Sequence, residues 1–123
     1  MKSILKEKSF LLALRIIKLY RFLIENKKEY VLSKQILRSG TSVGAMIREA
    51  QNAESKMDFV HKLAIAQKEC DESLYWMELL VQSEYISQEA FESVYAEAEQ
   101  VLKMIKSAIL TTKRNIANEK SKP

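Results

Sequence analysis

From Phe10 to Ile24 only three residues, Arg15, Lys18 and Arg21, are polar. Their spacing of three places them in one narrow stripe of a helix. Roughly 240° of that helix's circumference is therefore apolar, about twice the width that a bundle helix needs to cover its own core. The segment reads as a first helix running from Ser3 or Ser9 to Asn26, and something beyond the chain's own core is expected to cover its surplus face.

Three more helices follow from the pattern. Lys27, Lys28, Glu29 and Tyr30 form the expected connection, the longest of the chain, and Ser33 is the expected N-cap of a second helix ending near Gln51. Its apolar ladder is Ile36, Val43, Ile47 and Ala50. The interior run from Ser39 to Ala45 holds Gly40 and Gly44 and is poor in helix formers, which predicts a kink or a very close backbone approach. A third helix opens at Ser55, with Asp58 three residues on as in a capping box, and carries Phe59, Leu63, Ala66, Cys70, Leu74, Met77 and Val81 inward. Ser87 caps a fourth, with Phe91, Val94, Ala98, Leu102, Ile105, Ile109 and Ile116 as its stripe. The last two helices are each expected to be about 28 residues, roughly 40 Å long, with short links that make neighbours antiparallel. The predicted fold is all-α, an antiparallel up-down four-helix bundle: one domain over residues 1–117, then a disordered polar tail over 118–123.

Composition agrees with long helices. In 123 residues only Gly40, Gly44 and Pro123 are Gly or Pro, far fewer than sheets and tight turns normally require. No apolar stretch approaches the ~20 residues of a membrane span, because Arg15, Lys18 and Arg21 interrupt the longest one. No export signal precedes it, and the lone Cys70 cannot form an internal disulfide, so a cytoplasmic location is expected and no membrane partner.

Charge is arranged in blocks. Residues 1–50 carry eleven Lys or Arg against four Asp or Glu, residues 51–100 three against eleven, and residues 101–123 six against one, giving +7, −8 and +5. Such blocks form complementary faces within a fold or assembly, or a footprint for nucleic acid.

Catalytic and metal readings fail on composition. Asp58 and His61 have the carboxylate-x-x-His spacing of di-iron bundles, but that site needs two such pairs and this chain has one histidine. Cys70 lies within an apolar ladder, nine residues and about 13 Å along the helix from His61, too far for a nucleophile and its base. Gly40 and Gly44 sit inside a helix, with no phosphate-loop lysine after them. No enzyme activity, metal or cofactor is expected. Glu69 and Glu72 share a face with Ile65 and Trp76, and Arg48 is the expected partner of a buried ion-pair network with them.

The run from Leu37 to Ala50, Leu-Arg-Ser-Gly-Thr-Ser-Val-Gly-Ala-Met-Ile-Arg-Glu-Ala, with Ser55-Lys56-Met57-Asp58-Phe59 and Tyr75-Trp76-Met77, resembles the 23S rRNA intervening-sequence proteins, also called four helix bundle proteins. The likeness spans most of the chain. It implies an antiparallel bundle assembled as a ring-like homopentamer, encoded in some bacteria within an insert of the large rRNA gene, with no established activity. A similar fold in retroelement accessory proteins binds nucleic acid and a reverse transcriptase.

Two readings of function stand side by side: an oligomeric adaptor that binds RNA or DNA weakly and without strong sequence preference, and a purely structural or protein-binding ring. For the first, the candidate phosphate-binding residues are Arg15, Lys18, Arg21, Lys27, Lys28, Lys34 and Arg38. Stacking is expected to be minor, since no set of aromatic residues is interleaved with these cations as in single-strand binders.

Overall fold

The computed structural model describes residues 3–122. Four helices follow one another: α1 (Ile4–Asn26), α2 (Leu32–Gln51), α3 (Lys56–Gln82) and α4 (Gln88–Lys120). No strand occurs among the described residues. Each helix packs antiparallel on the next, and the bundle closes where α4 returns to α1. The α2–α3 seam is the most extensive and the α4–α1 seam the sparsest.

The predicted ladders meet in one core. Leu12, Ile16 and Leu23 of α1, Ile36, Val43 and Ile47 of α2, Leu63, Cys70 and Met77 of α3, and Ala98 and Ile105 of α4 are all buried. Two ladders differ in detail from the expected ones. Leu80, not Val81, is the fully buried residue at the end of α3, and Val101 joins Leu102 inside α4. α4 is also longer than predicted, at 33 residues, and continues to Lys120, three residues into the segment expected to be a tail. Pro123 lies outside the described residues. Because Lys8 near the start of α1 reaches Gln100, α4 runs several turns past the beginning of α1. Those turns rest on α3, where Lys56 pairs with Glu119, and Ile116 there is only half-buried.

The caps show how a glycine-poor chain turns. Ser3, Ser55 and Ser87 accept hydrogen bonds from the amides of Lys6, Asp58 and Ala90 at 3.1, 3.0 and 3.1 Å. Ser33 does not cap α2. Its hydroxyl is buried without a partner, and the cap is the Glu29 carboxylate, which accepts from the amides of Val31, Leu32 and Ser33 at 3.1, 3.0 and 2.7 Å. A charged acceptor satisfies three orphan donors of the first turn at once and also complements the helix dipole. With α2 beginning at Leu32, the first connection equals the α3–α4 turn in length and is one residue longer than the α2–α3 turn, so it does not stand out as the longest. At the end of α3 the amides of Glu84 and Tyr85 donate to the carbonyls of Val81 and Leu80 at 3.1 and 2.9 Å, the pairing of a Schellman motif. Glycine is the usual residue at its left-handed position, and here Glu84 occupies it with φ of 64°. Lys28, after α1, has φ of 55°. Both strained residues lie at the same end of the bundle.

The run from Ser39 to Ala45 stays helical without interruption, and its close-approach reading holds at Gly40. A Cβ placed on Gly40 would meet Cγ1 and Cγ2 of Ile16 at 2.8 Å, whereas one on Gly44 would sit an ordinary 3.4 Å from the Ser9 carbonyl oxygen. On the opposite side of α2 the Ser39 and Ser73 hydroxyls are hydrogen-bonded at 2.9 Å. Ser73 also reaches the Glu69 carbonyl at 2.9 Å. Each hydroxyl has one proton, so both contacts are satisfied when Ser73 donates to the carbonyl and Ser39 donates to Ser73.

These two glycines should respond differently to alanine. Gly40→Ala forces the β-branched stem of Ile16 to move, and that cost, about 1–3 kcal/mol, exceeds the gain of roughly 1 kcal/mol in helix propensity. Gly44→Ala keeps that gain without the clash. Urea unfolding should therefore show the first variant less stable than the parent and the second equal or more stable. Equal responses would contradict the close α1–α2 approach.

Candidate nucleic-acid interface

The seven predicted cations separate into two groups. Arg15 of α1 pairs with Glu97 of α4 at 2.9 Å. Arg38 of α2 bridges to Glu69 at 2.9 Å and also to Glu72, both on α3. Its guanidinium pKa is raised, first by the hydrogen bond to Glu72, so it stays charged at any working pH. No ion pair holds Lys18, Arg21, Lys27, Lys28 or Lys34 among the described residues. The topology gathers these five around one end of the bundle, where α1 finishes and α2 starts.

The predicted network of Arg48 with Glu69 and Glu72 is corrected on two counts. Arg38 is the partner, and the cluster is not buried, since the Arg38 side chain is 50% exposed. Reflection through the α2–α3 turn gives the reason: residue 38 falls opposite residue 69, whereas residue 48 falls opposite residue 59. Arg48 lies instead near that turn, in a shallow groove with Glu49, Glu54, Asp58 and Lys62. His61 is exposed beside it. Cys70 is fully buried, and its thiol donates to the Ala98 carbonyl at 3.4 Å. Burial, with help from the charge of Asp71 and against that of Lys106, pushes the thiol up to about 12. Such a sulfur stays protonated and out of reach of reagents.

At the basic end the α4–α1 seam is open. A cleft of about 1050 Å³ runs between the second half of α1 and the α3–α4 turn. Leu19 and Phe22 from α1, Val81 from α3, Tyr85 and Ile86 from the α3–α4 turn and Val94 from α4 form its apolar lining. Arg15, Lys18 and Lys27 stand on its α1 side, and Glu84, Ser87 and Gln88 on the other. Phe22 is partly exposed, and the Lys27 ammonium sits 5.9 Å from its ring centroid, within cation–π range. The aromatic component that the linear pattern lacked is therefore present. Phe22 was visible beside Arg21, but Tyr85 is carried to the cleft by folding, from about sixty residues downstream.

The surplus apolar surface of α1 is real. Phe10, Leu11 and Leu14 are 52, 55 and 46% exposed, and Ile4 63%. Lys18 and Arg21 continue this face toward the cleft. Among the described residues no helix is long and apolar enough to cross a membrane.

Residues 1–107 match the 23S rRNA-intervening sequence protein family. Among solved structures, a protein of unknown function from the S23 ribosomal protein family of Bacteroides thetaiotaomicron is 51% identical, with 86% of this chain and 98% of that one covered and a TM-score of 0.86. No curated protein matches the chain.

Proposed function

The chain belongs to the 23S rRNA-intervening sequence protein family, and from that premise we propose that it is a non-enzymatic assembly module whose α1 face is covered by another copy of itself. The observation that carries this reading is the exposed cluster Phe10, Leu11 and Leu14. A contiguous apolar patch on a helix that already supplies Leu12, Ile16 and Leu23 to the core is the usual mark of a protein interface. A cyclic assembly would match this face to a different one on the next copy, and five copies of a 14.2 kDa chain make a ring of about 71 kDa. The absence of a catalytic role is supported by Cys70, sealed and held protonated, and by His61, exposed at a distance from it.

A second reading, that the assembly also binds nucleic acid in the cytoplasm, is favoured by the five cations without ion-pair partners at one end of the bundle. Ring symmetry would repeat that basic end several times on one particle, raising avidity without any new contact. Weak, sequence-tolerant attraction to phosphates is what such a surface provides.

Light scattering coupled to gel filtration should give a mass near five chains for the parent. Leu14→Glu should give a smaller, still helical species. A parent that remains a monomer at micromolar concentration would defeat the assembly reading. For the second reading, five phosphate contacts at about −0.9 each in the log-log slope predict that duplex affinity falls roughly 500-fold between about 50 and 200 mM salt. A Lys27/Lys28/Lys34 to Glu variant should abolish binding, whereas unchanged binding in that variant would contradict the assignment.

A further inference from the structure

The cleft between α1 and the α3–α4 turn has a composition that phosphate contacts alone do not call for. Its lining is mostly apolar, with two aromatic rings, Phe22 and Tyr85, while the cations Arg15, Lys18 and Lys27 stand on one side and Glu84 on the other. Phe22 is 40% exposed in a helix where Leu19 and Leu23 point inward. The cleft volume, about 1050 Å³, is at the upper end of the range for small-molecule sites. Glu84, one of the two non-glycine residues with left-handed backbone, lines it, so a charged side chain is set there by a turn that would otherwise suit glycine.

We propose that this cleft holds a base of single-stranded nucleic acid, the ring against Phe22 and its phosphate on Lys18 and Lys27. This rests on the nucleic-acid reading above and adds to it the form of the ligand. A paired base has both faces covered by its neighbours in the stack and cannot enter, whereas an unpaired one presents a π-face of any sequence to an aromatic side chain. A strand is favoured over a free nucleotide by the cations beyond the cleft. Arg21, Lys28 and Lys34 lie outside its lining but at the same end of the bundle, where further phosphates of a continuous chain would pass. The exposed carboxylates Glu25, Glu84 and Glu89 at that end leave the balance positive and modest, in keeping with weak binding. The interface assigned to α1 uses Phe10, Leu11 and Leu14, about two to three turns from Phe22, so occupation of the cleft and assembly are compatible.

The test compares a labelled oligothymidylate of about 12 nucleotides with an abasic strand of equal length, titrated at about 50 mM salt against the full chain. The phosphates are the same and only the bases differ. The base-bearing strand should bind about 5- to 150-fold more tightly, the range that one stacked base contributes. Phe22→Leu, which keeps the site apolar and should leave melting temperature and assembly mass unchanged, should lower the oligothymidylate to the abasic level and leave the abasic strand unaffected. Equal affinity of the two strands for the parent would overturn the proposal while leaving phosphate binding intact. Absence of binding by either would remove the nucleic-acid reading and this proposal together. Competition by thymidine monophosphate at the same molar concentration as the strand would overturn the commitment to a strand. A change of assembly mass in Phe22→Leu would show that a second copy occupies the cleft.

Discussion

α1 is apolar around most of its circumference, and the bundle can bury only one side of it. Leu12, Ile16 and Leu23 enter the core, yet Phe10, Leu11 and Leu14 remain half-exposed on the other side. No rotation of the helix removes this surplus, because turning one set outward brings the other in. The consequence reaches the closing seam. α1 packs tightly on α2, where Gly40 lets Ile16 approach to the limit of contact, and it meets α4 only along a sparse line that opens into the cleft. One distribution of side chains therefore accounts for the tight seam, the loose seam and the uncovered face.

Polar groups then decide which of the many cations face outward. Opposite charges on neighbouring helices take Arg15 and Arg38 out of the basic set through Glu97, Glu69 and Glu72. These pairs are partly solvated and contribute at most about 1 kcal/mol each, so their effect on the surface potential matters more than their effect on stability. Capping acts likewise. Glu29 is an acid in the middle of a basic segment, but its carboxylate is spent on three amides of α2 and is buried, which leaves Lys27, Lys28 and Lys34 beside it without a partner.

Most of the fold was legible because helical periodicity is a strong signal and the chain offers few alternatives. The core ladder of α2, that of α3 up to Met77, and the serine caps at Ser55 and Ser87 follow from spacing alone, whereas spacing left the start of α1 open between Ser3 and Ser9. Misreadings arose where a longer reach or a second neighbour intervened. Glu29 caps from further upstream than Ser33 because a longer side chain can fold forward onto the helix start. Val101 is buried because α4 touches both α1 and α3, a breadth that one stripe does not describe. The partner of Glu69 was legible in principle, since reflection through the turn selects Arg38 over Arg48. The cleft was not. Its two sides come from segments about sixty residues apart, and the turn that delivers Tyr85 depends on a left-handed Glu84 that no propensity anticipates.

Coverage of the α1 face can be measured at that face. Cys70 is buried and protonated, so Leu14→Cys would place a single reactive thiol in the middle of the patch. The account predicts that a thiol-specific reagent labels residue 14 slowly at micromolar protein concentration, and at the rate of an exposed cysteine once dilution separates the copies. Fast labelling at every concentration, with the protein folded and residue 70 unlabelled, would contradict it.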